Sequence, residues 1–203
     1  MKIKYKRLAA YIIDFFIINL FMTLVTSSGI FAKAFYQYND ATERLNNLYQ
    51  DVLKLDEESL NDKVDDMKAI VYDVNSFGSL YFSIEVIVMI GYFVVFQYFN
   101  KGQTLGKKFL KIKVVSRDDE ELSLGNFLLR SMILYGLIFT IINMILVQLT
   151  SDNIFYNLYT IVGLVNIVVT YSTYFMIIFR KDERGLHDMI ASSKVVEVNS
   201  KNI

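Results

Sequence analysis

A long apolar run near the start of the chain, Leu8 to Thr26, constrains the fold more than any other sequence feature. Its 19 residues would form a helix of about 30 Å, which matches the hydrocarbon core of a bilayer. One acid, Asp14, lies inside the run. An acid in a spanning helix costs about 2.5 to 3.5 kcal/mol on insertion scales, so we expect Asp14 to face protein or water and to have a partner.

Three more apolar blocks follow, at 79–99, 131–149 and 158–179. Each is long enough to cross a membrane as a helix, and hydrophobic residues make up 54% of the 203-residue chain. The sequence therefore predicts an all-α integral membrane protein, a four-helix bundle with spans at about 8–26, 79–99, 131–149 and 158–179.

The residue types that the chain lacks narrow its chemistry. It has no Cys and a single His, His187, which excludes disulfides, thiolate catalysis and cysteine or histidine metal clusters. It also has no Pro, so no helix is expected to be broken by proline. Because no Ser, His and Asp arrangement falls at membrane depth, we expect no enzymatic activity, no cofactor and no metal.

An acidic segment, 31–78, separates the first two apolar blocks and holds ten acidic against five basic residues. Its apolar residues recur at helical spacing, which predicts one long amphipathic helix or a hairpin of two outside the membrane. A solvated structural cap is the plainer interpretation. The sharper one is a recognition surface for a partner protein, or a vestibule that attracts cations. The apolar positions are Leu45, Leu48, Val52, Leu55, Leu60, Val64, Met67, Val71 and Val74.

The distribution of Lys and Arg predicts the orientation in the membrane. The segments 1–7, 100–130 and 180–203 hold sixteen of the 21 basic residues, and the other five lie in the acidic segment. Because cytoplasmic loops carry the excess of basic residues, both termini are expected in the cytoplasm and 31–78 outside the cell. This topology explains the basic residues without any binding of nucleic acid.

The basic loop after the second block contains Gly102 to Lys108, which resembles a phosphate-binding loop. The spacing is wrong and no Ser or Thr follows the lysine, so a segment lying on anionic lipid headgroups fits better than a nucleotide site. Two short segments rich in Val, Lys111 to Ser116 and Lys194 to Val198, predict strands. If they pair, they tie the two cytoplasmic segments together.

Three patches in this order resemble the RDD family of bacterial membrane proteins: Arg7 to Asp14, then Lys101 to Val115 with Arg130 downstream, then Asp182 to Ala191. The resemblance covers most of the chain except the acidic segment. The Arg and the two Asp that give the family its name match Arg7, Asp14 and Asp188. The resemblance implies a small multi-spanning helical protein, and some members are linked to exchange of sodium or other monovalent cations for protons. The family has no single agreed activity.

The candidate functional residues are polar groups inside or beside the predicted spans. Helical spacing puts Arg7 and Asp14 on one face of the first span. Glu85 is expected near the outer third of the second span and Asp14 near the inner third of the first, so vertical helices would keep the two acids apart. The primary candidates are Arg7, Asp14, Arg130 and Asp188, and the secondary ones are Glu85, Asn19, Asn143 and Asn166.

Two hypotheses for the function follow. In the first, Asp14 exchanges a proton for a monovalent cation, because burial raises and a nearby Arg lowers the pKa of such a carboxyl group. Four helices make a thin wall, so a pathway would require a homo-oligomer. In the second, Arg7, Asp14 and Asp188 form a buried structural clasp, with Arg130 or Lys107 as further partners. The protein is then a non-catalytic assembly factor or immunity protein that binds a partner through 31–78.

Overall fold

The computed structural model describes residues 2–28, 31, 35–54, 57–118 and 121–198. Parts of the predicted acidic segment, 32–34 and 55–56, and two residues of the basic loop, 119–120, lie outside the described residues. The described chain is mostly helical. Its elements are α1 (Ile3–Thr26), α2 (Tyr36–Val52), α3 (Glu57–Phe77), α4 (Ser79–Phe99), α5 (Leu105–Phe109), β1 (Ile112–Ser116), α6 (Leu124–Leu134), α7 (Leu137–Leu149), α8 (Asp152–Phe179), α9 (Leu186–Ile190) and β2 (Ser193–Glu197).

Three helices of the described chain, α1, α4 and α8, are long and apolar enough to cross a membrane. A fourth span exists only if α6 and α7 count together, and these two helices are bent by 73° at the break between them. The predicted four-helix bundle is therefore not confirmed. The predicted span 131–149 is not one straight helix, because Gly136 takes a φ of +67° after α6, a left-handed conformation that ends helices.

Contacts divide the chain into two compact units. The second unit comprises Thr23–Glu85 and Phe139–Val165. In it, the segment predicted as one helix or two is a pair of packed helices, α2 and α3. Val71 of α3 is buried in a cluster with Val147 and Phe155, so α3 supplies part of the core of this unit.

The first unit comprises Met1–Met22, Val86–Ile138 and Asn166–Ile203. In it, β1 and β2 pair antiparallel, with Ile112 opposite Glu197 and Ser116 opposite Ser193. The two predicted strands do therefore pair. Their inward side chains join a buried apolar cluster that includes Ala10, Val94, Ile112, Val114, Phe127 and Val195.

Candidate functional site

Asp14 is fully buried in the first unit, and both of its carboxylate oxygens accept hydrogen bonds. The Tyr92 hydroxyl donates to Oδ1 at 2.6 Å, and the Gly106 backbone N–H donates to the same oxygen at 2.8 Å. The Thr104 hydroxyl donates to Oδ2 at 2.6 Å. These three donors compensate for much of the cost of burying the carboxylate.

The backbone around Asp14 explains how these donors reach it. Tyr92 lies in a π-helical stretch of α4, Gly91–Phe96, a wider turn that is frequent at functional sites. Thr104 caps the N-terminus of α5 and accepts a bond from the Lys107 N–H. A Cβ on Gly106 would overlap the carbonyl oxygen of Ala10 and lie 2.8 Å from Asp14 Oδ1. Glycine is therefore required where α5 meets α1.

Asp188 forms a second buried group, between two arginines. Arg7 Nη2 donates to Oδ2 at 2.6 Å, and Arg130 Nη1 pairs with Oδ1. The backbone N–H of Gly185 donates to Oδ2 at 3.0 Å, and Arg130 also donates to Ser193 Oγ at 3.0 Å. All three charged side chains are almost inaccessible, at 9%, 4% and 0% exposed for Arg7, Arg130 and Asp188. The group joins α1, α6 and α9.

The two aspartates thus have different kinds of partner. Of the described residues, no basic side chain lies within 4.0 Å of the Asp14 carboxylate. Arg7, which shares a helix face with Asp14, pairs with Asp188 instead. The single clasp of Arg7, Asp14 and Asp188 that the sequence suggested is therefore two adjacent groups. One is an acid held by neutral donors, and the other is an acid held by two guanidinium groups.

A cavity of about 210 Å³ lies beside these groups, and Arg7, Lys107, Arg130 and His187 line it. Lys107 is 7% exposed, and its amine is 3.4 Å from Thr104 Oγ1. Burial lowers the pKa of Lys107 to about 7, although the nearby Asp14 charge acts in the opposite direction. The sequence suggests Lys107 only as a partner in the clasp, since nothing in it distinguishes Lys107 from Lys108.

His187 is fully buried in the same wall. Burial, and then the charges of Arg130, Arg7 and Lys107, lower the pKa of His187 well below its usual range, so the ring is neutral. Its Nε2 lies 3.2 Å from Arg7 Nη2. Nε2 is also 3.3 Å from Asp188 Oδ2, so it accepts from the guanidinium in one tautomer and donates to the carboxylate in the other. Nδ1 is buried and has no hydrogen-bond partner among the described residues.

The second unit contains a smaller cavity, of about 180 Å³. Two of the secondary candidates, Glu85 and Asn143, both line it. The Oδ1 atom of Asn143 is buried without a hydrogen-bond partner, and half-buried Glu85 makes no hydrogen bond or ion pair with the part of the chain that is described. The remaining lining residues are Asn75, Phe82, Thr140, Met144 and Tyr159.

The other two candidates line neither of these cavities. Asn19 donates to the carbonyl of Phe15 one turn earlier on α1, at 2.8 Å. Asn166 accepts a bond from the Thr170 hydroxyl at 3.2 Å, within α8. Both contacts are local bonds within a helix, of the kind that polar residues in apolar helices commonly make.

Apolar helices long enough to span a bilayer and a buried arginine–aspartate core define a helical membrane protein. The chain belongs to the RDD family, whose sequence model matches residues 5–192, nearly the whole chain. The matched range includes the acidic segment and all four primary candidates. No curated protein and no solved structure matches the chain.

Proposed function

We propose that this protein exchanges monovalent cations for protons across the bacterial cell membrane, and that Glu85, not Asp14, is the exchanging carboxylate. The observation that supports this assignment is a cavity lined by Glu85 and by Asn143, whose Oδ1 has no hydrogen-bond partner in the part of the chain that is described. An ionisable residue inside a spanning helix is a functional candidate by default. Glu85 lies within α4, one of the three helices that could cross the membrane.

The chemistry of the lining suits a small cation. Carboxylate, amide and hydroxyl oxygens are the ligands that hard cations take, and the cavity presents Glu85, Asn143, Thr140 and Tyr159. A carboxylate without a hydrogen-bond partner can hold either a proton or a cation, which is the minimum required for exchange. Asp14 is less suited, because its oxygens already accept three bonds from protein donors.

We also propose an orientation of the chain in the membrane, and no enzymatic activity. Sixteen of the 21 Lys and Arg residues lie in 1–7, 100–130 and 180–203, which favours cytoplasmic termini and an extracytoplasmic 31–78. A membrane-impermeant label on a cysteine introduced at Lys54 tests this directly, since the natural chain has no Cys. Labelling of intact cells at position 54 supports the orientation, and labelling only after lysis refutes it.

Proteoliposomes with an internal pH dye test the exchange itself. Wild-type protein should move protons when Na⁺, K⁺ or Li⁺ is added outside, and Glu85→Gln should abolish the signal. Glu43→Gln, at an exposed position of the same unit, is the matched control and should leave exchange unchanged. Asn143→Leu should raise the cation concentration needed for half-maximal rate. Intact exchange in Glu85→Gln, or no exchange by the wild type, would refute the proposal.

A second candidate function is binding of a partner protein through the acidic helix pair. The specific observation is the exposure of its acids, with the side chains of Asp51, Asp65 and Asp66 70%, 88% and 57% accessible. A deletion of 42–74 cannot test partner binding by itself, because it also removes Val71 from the core and would destabilise the unit. Changing these three residues to Asn should keep the fold, because each is exposed and forms only a surface pair one turn away.

If the protein binds a partner, a photo-crosslinker on α3 of the wild type should capture one protein reproducibly from cells. The triple Asn variant with the same crosslinker should not capture that protein. The exchange activity of that variant in vesicles should stay unchanged. Equal capture by both chains would contradict recognition through these acids.

A further inference from the structure

We propose that the cavity beside Lys107 in the first unit binds the phosphate headgroup of an anionic lipid. Lipid binding at this site does not depend on the cation exchange proposed for Glu85, because the two cavities share no lining residue. The site combines cationic side chains, a buried ring nitrogen with no partner among the described residues, and an apolar wall. Each of these observations constrains the ligand in a different way.

The charges of the lining call for an anion. Lys4, Arg7, Lys107 and Arg130 all line the cavity, and Asp188 is the only acid paired with the two arginines among the described residues. The Lys107 amine has no carboxylate within 4.0 Å in the described chain, although the residue is 7% exposed. A buried ammonium without a paired anion is costly, and a bound phosphate would supply the missing charge.

His187 adds a buried polar atom to these cations. Its Nδ1 has no hydrogen-bond partner in the described chain, and the ring lines the cavity. A buried polar atom that makes no hydrogen bond costs roughly 1 to 3 kcal/mol, so such groups in native proteins usually have a ligand or water to bond. In the tautomer in which Nε2 accepts from Arg7, Nδ1 carries the ring proton and can donate it to a phosphate oxygen. A metal ion is a poor ligand for this cavity, because the neighbouring side chains are themselves cations.

The apolar wall selects a lipid over a free phosphate ion. Leu8 and Ile178 line the cavity and are each 53% exposed, which leaves an apolar surface for an acyl chain beside the basic groups. They lie in the second turn of α1 and the last turn of α8, at helix ends where a spanning helix meets the headgroup layer. Basic pockets between helices at this level are typical sites for anionic headgroups.

The test compares two neighbouring lysines in purified protein. Native mass spectrometry in neutral detergent should show wild-type protein retaining phosphatidylglycerol in preference to phosphatidylcholine. Lys107→Met removes the buried charge and should weaken binding of phosphatidylglycerol by about tenfold or more, the usual effect of losing a charge-assisted hydrogen bond. Lys108→Met is the matched control, because Lys108 is adjacent and exposed, and it should bind as the wild type does.

A second variant keeps the test valid if Lys107→Met fails to fold. Lys4→Met changes a part-exposed residue of the lining and should weaken retention by a smaller factor, with the circular dichroism spectrum unchanged. Inorganic phosphate, added as a competitor, should displace phosphatidylglycerol only weakly. Equal retention of the two lipids would overturn the proposal, as would equal binding by Lys107→Met and Lys108→Met. Full displacement by inorganic phosphate would assign the site to the free ion instead.

Discussion

Replacing Asp188 by Asn tests the structural role of the buried arginine–aspartate group. The carboxylate is completely inaccessible and pairs with both Arg7 and Arg130, which are themselves 9% and 4% exposed. Asn has no charge, so two guanidinium groups would remain buried without their anion. Removing one partner of a buried ion pair typically costs about 3 to 5 kcal/mol. In a chain of this length, about 2 to 4 °C of melting temperature corresponds to each kcal/mol, so we expect a fall of about 6 to 20 °C.

The assay is thermal unfolding in detergent followed by far-UV circular dichroism, because the chain has no Trp to report by fluorescence. The control is Asp182→Asn, which removes an acid that also pairs with two arginines, Arg180 and Arg184, but is 39% exposed. Exposed pairs contribute about 0 to 1 kcal/mol, so this variant should melt within a few degrees of the wild type. Equal losses for both variants would refute the argument, since burial would then make no difference.

Two further predictions concern the loop that docks on α1. Gly106→Ala should lower the melting temperature, because the added Cβ overlaps the Ala10 carbonyl oxygen. Gly125→Ala, whose added Cβ would have its nearest neighbour at 3.4 Å, is the control and should melt as the wild type does. Equal melting temperatures for the two variants would contradict the close approach of Gly106 to α1. The lowered pKa of Lys107, about 7 against 10.5 when unfolded, means that the unfolded chain binds more protons between these values. Stability in neutral detergent should therefore rise from pH 7 to pH 9 by up to about 1.4 kcal/mol per unit, and Lys107→Met should lose that rise.

The sequence identified Arg7, Asp188 and Arg130 as members of one buried group, but it also included Asp14, which has other partners. The motif residues Arg7, Asp14 and Asp188 all lie in the buried core of the first unit. Helical spacing correctly puts Arg7 and Asp14 on one face, but spacing along one helix cannot show which distant segment covers that face. Arg7 pairs with a residue 181 positions away, and the donors to Asp14 come from 78 to 92 positions away.

The sequence by itself determined the membrane-spanning character, because long apolar runs are stable as helices only where lipid or protein surrounds them. It also determined the two strands, through their Val-rich patterns. The tertiary structure decided which charges meet, where α6 and α7 break, and that Lys107 rather than Lys108 is buried. These outcomes depend on the packing of segments far apart in the chain, and a short-range pattern carries no information about such contacts.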